Sequence, residues 1–180
     1  MEKIEILIVL LPIVFMIHDF EEIIMFKPWL NKNKIEIKER FPKFKNFLSK
    51  KHYFNLSTSG FSIAVLHEFV LISLVTVLSL FYKSYDWWFG AFAVFSLHLF
   101  VHIIQWIIYG KYIPAIVTSI LTLPYCIYTF IIFIETTKIS QNQMLFWTLI
   151  GIVITVLSFP SAFYLAFKFE HWKNKSYISK

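Results

Sequence analysis

Five long apolar segments make up most of this 180-residue chain. They run from Ile4 to Phe26, from Leu56 to Phe81, from Trp87 to Tyr109, from Ile113 to Ile134 and from Leu145 to Phe167. Each is long enough to cross the hydrocarbon core of a bilayer as a helix, which takes about 20 residues. A helix also satisfies its own backbone hydrogen bonds, as lipid requires. The sequence therefore predicts an all-α, polytopic membrane protein, a single bundle of five transmembrane helices that forms one domain over residues 1–180.

The composition places any function within this bundle or its one sizeable loop. Hydrophobic residues make up 58% of the chain, and the five segments leave no room for a separate soluble domain. Cys126 is the only cysteine, so the sequence excludes an intrachain disulfide and a site built from thiolates. We expect the first segment to be retained, because no small-residue cleavage site of a secretory signal follows it.

The distribution of lysine and arginine predicts the orientation in the membrane. Residues 27–55 carry nine of the seventeen basic residues, and four more follow the fifth segment. The positive-inside rule then makes 27–55 a cytoplasmic loop, with the N-terminus outside and the C-terminus in the cytoplasm of a plasma-membrane protein. Tryptophan and tyrosine lie at both expected interfaces, as aromatic belts do: Trp87, Trp88 and Trp147 outside, and Trp29, Tyr109, Tyr112 and Trp172 inside.

Aromatic residues interrupt the basic loop at a helical spacing. Phe41, Phe44, Phe47 and Leu48 lie among its lysines. This spacing predicts a short helix on the lipid headgroups, with membrane lipid rather than nucleic acid as its partner. A plain solvated loop is the alternative.

A pentad of residues, His18-Asp19-Phe20-Glu21-Glu22, lies near the end of the first apolar segment. On a helix that turns about 100° per residue, Glu21 lies about 60° to one side of His18 and Glu22 about 40° to the other. One helix face therefore carries an imidazole and two carboxylates. Burying such groups in lipid costs at least about 2.5 kcal/mol each when they are charged, so we expect them to have a function.

Two further pairs of ionisable residues lie inside later apolar segments: His67 with Glu68, and His98 with His102. Counting about 1.5 Å of rise per residue places all three groups at similar depths, so they are predicted to share one layer. Imidazole and carboxylate ligands suit zinc, iron or manganese. We predict a site for one or two divalent ions, with His18, Glu22, His67, His98 and His102 as ligands. Glu21 and Glu68 are the predicted catalytic acids or bases, and the division of work among the glutamates stays open.

Two alternative roles for these polar groups stay open. Histidine and glutamate side chains can hold membrane helices together by hydrogen bonds, or they can form a proton relay. The fourth and fifth segments also carry proline, serine and threonine, among them Thr118, Ser158, Pro160 and Ser161. For these we predict roles in kinks and packing, with substrate contact as the alternative.

The pentad resembles the signature of the bacterial HXXEE membrane proteins, a family without an assigned activity. Similar elements follow in order over nearly the whole chain: His67 with Glu68, His98 with His102, and Tyr112, Pro114, Thr118 and Pro124. This chain has Ala115 where the family pattern has glycine. The resemblance implies a membrane-embedded, metal-dependent enzyme and supplies no substrate.

Four functions compete on this basis. The leading prediction is a hydrolase that acts on a lipid or a lipid-linked substrate with metal-activated water. A di-iron oxidoreductase acting on lipid is the alternative, although the histidine-rich boxes of membrane desaturases are not matched. A glutamate-type intramembrane protease is disfavoured because Ile23 stands where its arginine is expected. A proton-coupled transporter fits poorly because the chain has no inverted repeat.

Overall fold

The computed structural model describes residues 2–41, 56–137 and 139–178, and within these ranges all regular secondary structure is helical. The helices described there are α1 (Lys3–Arg40), α2 (Thr58–Tyr82), α3 (Asp86–Tyr109), α4 (Ile116–Thr137) and α5 (Gln141–Ile178). The prediction of an all-α chain is confirmed. Of the described helices, α2 to α5 are long and apolar enough to cross a membrane, whereas α1 carries too many charged residues to meet that description.

Helix α1 is much longer than its apolar segment. It continues to Arg40, so residues 27–40, predicted as loop, are helical, which corrects the predicted boundary at residue 26. Its extension is held against the turn after α3: Trp29 Nε1 donates to the Tyr112 carbonyl at 2.8 Å, and Arg40 donates to the Tyr109 carbonyl at 3.0 Å. These distant partners, rather than local hydrophobicity, fix the extension. The predicted surface helix at Phe44, Phe47 and Leu48 lies outside the described residues.

Helix α5 also extends beyond its predicted end at Phe167, to Ile178. The extension meets the start of α2, where Ser57 is the N-cap residue. Glu170 accepts a hydrogen bond from the Ser57 amide at 3.1 Å, and Lys173 donates to Ser57 Oγ at 2.8 Å. A carboxylate suits this position because the amides at a helix N-terminus are unsatisfied and carry partial positive charge.

Helix α3 occupies the centre of the arrangement and contacts each of the other described helices. Helices α1, α2 and α4 pack around one side of it, and α5 packs against α2 and α3. Helices α3 and α5 cross at close range where Gly90 meets Gly151. A Cβ atom placed on Gly151 would lie 2.5 Å from the Gly90 carbonyl oxygen. Small residues allow membrane helices to approach this closely.

The buried core divides into an apolar half and a polar half. The apolar half is built on aromatic rings: Trp88 stacks on Phe92 at 5.2 Å and on Phe133 at 5.8 Å between ring centroids. Ile4, Ile8 and Leu11 of α1 belong to the same core. Farther along α1 and α3, the buried residues include His18, Asp19 and His102. The ionisable side chains of these helices are therefore gathered in one region.

Candidate metal centre

Three histidines from two helices meet in the polar half of the bundle. His98 and His102 are one helical turn apart on α3, and their Nε2 atoms lie 3.0 Å from each other. The ring of His18, from α1, lies 5.2 Å from each of theirs between centroids. One nitrogen from each residue lies within 4.8 Å of the other two. The structure thus brings together three of the predicted ligands.

The surroundings of these imidazoles suit a cation. His18 is completely buried, His102 is nearly so, and His98 is half-buried. The Nε2 atom of His18 has no hydrogen-bond partner in the described part of the chain. Two nitrogens bound to one tetrahedral zinc ion, with bonds of 2.0–2.1 Å, lie about 3.3 Å apart, which is close to the separation of the His98 and His102 Nε2 atoms. The spacing of the histidine nitrogens is therefore compatible with binding of one divalent ion.

Carboxylates from α1 adjoin the histidines. Asp19, Glu22 and His98 form a second group whose ligand atoms lie within 4.8 Å of one another, so His98 belongs to both groups. Asp19 is buried, and its Oδ1 lies 3.8 Å from His18 Nε2. Asp19 is absent from the ligands predicted from the sequence, although its position three residues before Glu22 puts both acids on one helix face.

Glu21 contacts the start of α4 instead of the histidine cluster. It accepts hydrogen bonds from the Thr118 amide and hydroxyl, each at 2.7 Å, and from the Tyr112 hydroxyl at 2.8 Å. Thr118 is the third residue of α4, where a carboxylate meets unsatisfied amides. The sequence did not predict this contact with α4. Both carboxylate oxygens of Glu21 already accept hydrogen bonds from Tyr112 and Thr118.

The same contact selects one tautomer of His18. The Thr118 hydroxyl has one proton, and the nearest of its acceptors is Glu21 Oε2 at 2.7 Å, whereas the carbonyl oxygens of His18 and Ala115 lie at 3.2 and 3.3 Å, so the proton goes to an ionised Glu21. Thr118 Oγ1 also lies 3.3 Å from His18 Nδ1, and with its proton committed it accepts from an Nδ1–H group. Nε2 of His18 is then the nitrogen with the free lone pair, as a metal ligand requires. An outer hydrogen bond of this kind is the usual way in which a ligating histidine is oriented.

The turn before α4 contains one residue in the left-handed backbone conformation. Ala115 has φ 71°, in the left-handed region that favours glycine, and it is fully buried. This conformation costs an alanine about 1–2 kcal/mol. The turn stands between Tyr112 and Thr118, both of which bind Glu21. Ala115 therefore adopts a strained backbone conformation where the turn presents α4 to Glu21.

His67 and Glu68 have their side-chain hydrogen bonds with α5, and the predicted layer shared with the histidine cluster stays a prediction. His67 contacts Ser161 of α5, with 3.2 Å from Nε2 to Oγ, and Ser158 of α5 donates to Glu68 at 2.8 Å. Among the described residues, neither His67 nor Glu68 belongs to a group of three possible ligands within 4.8 Å. The reason is that α2 turns this pair toward α5, whereas His18 and His98 meet between α1 and α3.

The fold and the cluster define a helical membrane-type protein whose buried histidines and acids converge from neighbouring helices. The chain belongs to the HXXEE family: the family model described as a protein of unknown function with HXXEE motif matches residues 9–129. This range includes the histidine cluster, the acidic residues of the pentad and the start of α4. The family prediction is thus confirmed. Neither a curated protein nor a solved structure matches the chain.

Proposed function

We propose that this chain is a membrane-embedded, metal-dependent hydrolase that acts on a lipid or a lipid-linked substrate. The observation that carries the proposal is the meeting of His18, His98 and His102, where the Nε2 atom of His18 has no hydrogen-bond partner among the described residues. Three histidines with one open position are the ligand set of a well-known class of catalytic zinc site. When bound, a divalent cation supplies Lewis acidity and lowers the pKa of water at the site to about 7.

The acids of α1 supply the proton transfers. Glu22 and Asp19 lie beside His98, so either carboxylate is placed to take a proton from an attacking water and return it to the leaving group. Glu21 acts indirectly, because its contacts with Thr118 hold His18 in the tautomer that ligates. In this proposal the metal ligands are His18, His98 and His102, Glu22 becomes a proton carrier together with Asp19, and His67 and Glu68 have no part in the metal centre.

We infer that α1 crosses the membrane together with the other four helices, as a five-helix bundle. Support comes from an outward stripe of α1, where Ile13, Ile17, Phe20 and Ile24 are each between 52% and 60% exposed. The inward face of the same helix holds His18 and Asp19 instead. An exposed apolar stripe around a polar interior suits lipid better than water. Labelling of single cysteines from either side of sealed vesicles tests the orientation with the N-terminus outside.

Metal content tests the enzymatic proposal. Purified full-length protein should hold zinc, iron or manganese stoichiometrically, and His18→Ala, His98→Ala and His102→Ala should each lose it. His171→Ala is the matched control, because His171 is an exposed histidine of α5. Protein with no stoichiometric metal, and with no rise in melting temperature when these ions are added, would exclude the proposal.

A di-iron oxidoreductase acting on lipid is the second candidate. It is favoured by one observation: the group of three histidines and the group of Asp19, Glu22 and His98 adjoin and share a residue. Two adjacent ions with mixed carboxylate and imidazole ligands are typical of such centres. Two iron ions per chain would favour this candidate, and one zinc ion per chain would favour the hydrolase.

A further inference from the structure

The polar group between α2 and α5 forms a chain of three functional groups. Ser161 Oγ lies 3.2 Å from His67 Nε2, and His67 Nδ1 lies 3.3 Å from Glu68 Oε1. Hydroxyl, imidazole and carboxylate follow one another in the order of nucleophile, base and orienting acid. We infer that Ser161 is a nucleophile, activated by His67 and Glu68, that accepts acyl groups from membrane lipid esters.

A purely structural role does not account for these residues. A charged side chain within a membrane helix costs about 2.5–3.5 kcal/mol on insertion scales. A hydrogen bond between membrane helices contributes about 0.6 kcal/mol on average. The two contacts of α2 with Ser158 and Ser161 are therefore too weak to offset an ionised glutamate. Serine or threonine in place of His67 and Glu68 would join the helices at a lower cost.

The hydrogen bonds around Glu68 orient the imidazole. Ser158 Oγ lies 2.8 and 3.0 Å from the two carboxylate oxygens of Glu68 and fixes their position. An ionised Glu68 only accepts hydrogen bonds, so the proton of neutral His67 lies on Nδ1. Nε2 is then the basic nitrogen, and it faces Ser161. The Ser161 hydroxyl also lies 2.8 Å from the Ser158 carbonyl, and rotation about its C–O bond turns the proton from that carbonyl to His67.

Access also distinguishes Ser161 from Ser158. Ser161 is exposed, whereas Ser158 is buried. The side chains of His67 and Glu68 keep 19% and 20% of their surface exposed. An ester in the surrounding lipid can therefore reach Ser161 and its base, but cannot reach Ser158.

The reaction needs only the lipid ester and water as reactants. Ser161 Oγ bonds to the acyl carbon while its proton passes to His67 Nε2. The ester C–O bond then breaks, and the departing alcohol takes that proton. Water attacks the acyl-serine in the same way, which releases a fatty acid and restores the Ser161 hydroxyl.

An alkyl phosphonofluoridate tests this inference on the full-length chain in lipid vesicles with a metal chelator present. Attack by Ser161 would form an Oγ–P bond and release fluoride, so peptide mass spectrometry should find one adduct, at Ser161. His67→Gln should slow the labelling by about 100-fold or more, since a base is lost while an amide can keep the hydrogen bond. Glu68→Gln should also slow it, and Glu68→Asp, which keeps a carboxylate, should recover part of the rate.

Ser62→Ala is the matched control, because Ser62 is on α2 and its only described hydrogen bond is to the Thr58 carbonyl. It should label at the wild-type rate. Labelling that persists in His18→Ala would show that the serine site does not depend on the proposed metal centre. Folded wild-type protein without an adduct at Ser161, or His67→Gln protein that labels at the wild-type rate, would overturn the inference.

Discussion

The carboxylate of Glu21 lies against the first turn of α4, where Thr118 donates to it from both its amide and its hydroxyl at 2.7 Å. This contact joins the pentad of α1 to a segment almost 100 residues farther along the chain. Because Thr118 also meets His18 Nδ1, the orientation of a buried imidazole depends on the start of another helix. Glu21 therefore organises the site from outside the histidine cluster.

Thr118→Val should disturb the tautomer of His18, because valine neither accepts from Nδ1–H nor donates to Glu21. We expect divalent-ion affinity to fall by about 10–100-fold, as is typical when an outer partner of a ligating histidine is removed. Nitrogen-15 NMR of labelled histidine reports the tautomer, and titration with zinc reports the affinity. Thr118→Ser keeps the hydroxyl and should behave as wild type. Unchanged spectra and affinity in Thr118→Val would remove Thr118 from this role.

The sequence could predict the histidine cluster because helical periodicity and depth are local properties. Residues four apart share a helix face, and the rise per residue sets the level in the bundle, so His98 and His102 were correctly expected near His18. Asp19 was not predicted, because the pattern of the pentad rests on His18, Glu21 and Glu22 alone. The position of Asp19 three residues before Glu22 places both acids on one helix face and would have indicated Asp19 as a member of the cluster.

The partners of His67 and Glu21 could not be predicted in the same way. Periodicity gives the angle of a side chain around its own helix, but the neighbouring helix depends on packing of the whole bundle. His67 meets α5 because α2 packs between α1 and α5. The extension of α1 to Arg40 likewise depends on hydrogen bonds to the turn after α3, about 70 residues away.

Gly151→Ala should destabilise the bundle at the crossing of α3 and α5. The added Cβ would lie 2.5 Å from the Gly90 carbonyl oxygen, so the helices must separate. Overpacking of this kind costs about 1–3 kcal/mol. Thermal unfolding in detergent measures the loss, with Val153→Ala on the exposed side of α5 as the control. The double variant Gly90→Ala with Gly151→Ala should lose less than the sum of the two single losses, because one separation relieves both.

Substitutions at Ala115 should reveal the strained turn before α4. Ala115→Gly releases about 1–2 kcal/mol of left-handed strain but loses a buried methyl group, so its stability should stay within about 1 kcal/mol of wild type. Ala115→Val should cost about 2 kcal/mol or more, because a β-branched residue tolerates positive φ poorly and the site is fully buried.

Gly110→Ala separates backbone strain from crowding at such a position. Gly110 has φ 76°, and no atom of the described residues lies within 4 Å of an added Cβ atom. The Gly110→Ala variant should lose only about 1 kcal/mol of stability, which is the cost of the left-handed conformation for alanine. Melting curves in one detergent compare all three variants. Equal stability of Ala115→Val and wild type would be incompatible with the turn described here.

The ion-pair group that holds the α1 extension should make stability fall in acid. Hydrogen bonds from Lys111 and then Arg40 hold the pKa of Glu36 below its ordinary value of 4.5. A carboxyl group with a lowered pKa in the folded state stabilises that state above its ordinary pKa, and this contribution is lost as the pH falls through the folded-state pKa. The melting temperature should therefore decline below about pH 5. Glu36→Gln should flatten this decline, whereas Glu39→Gln, at an exposed position three residues later, should follow the wild-type curve. A Glu36→Gln profile with the same acid slope as wild type would assign the decline to other carboxylates.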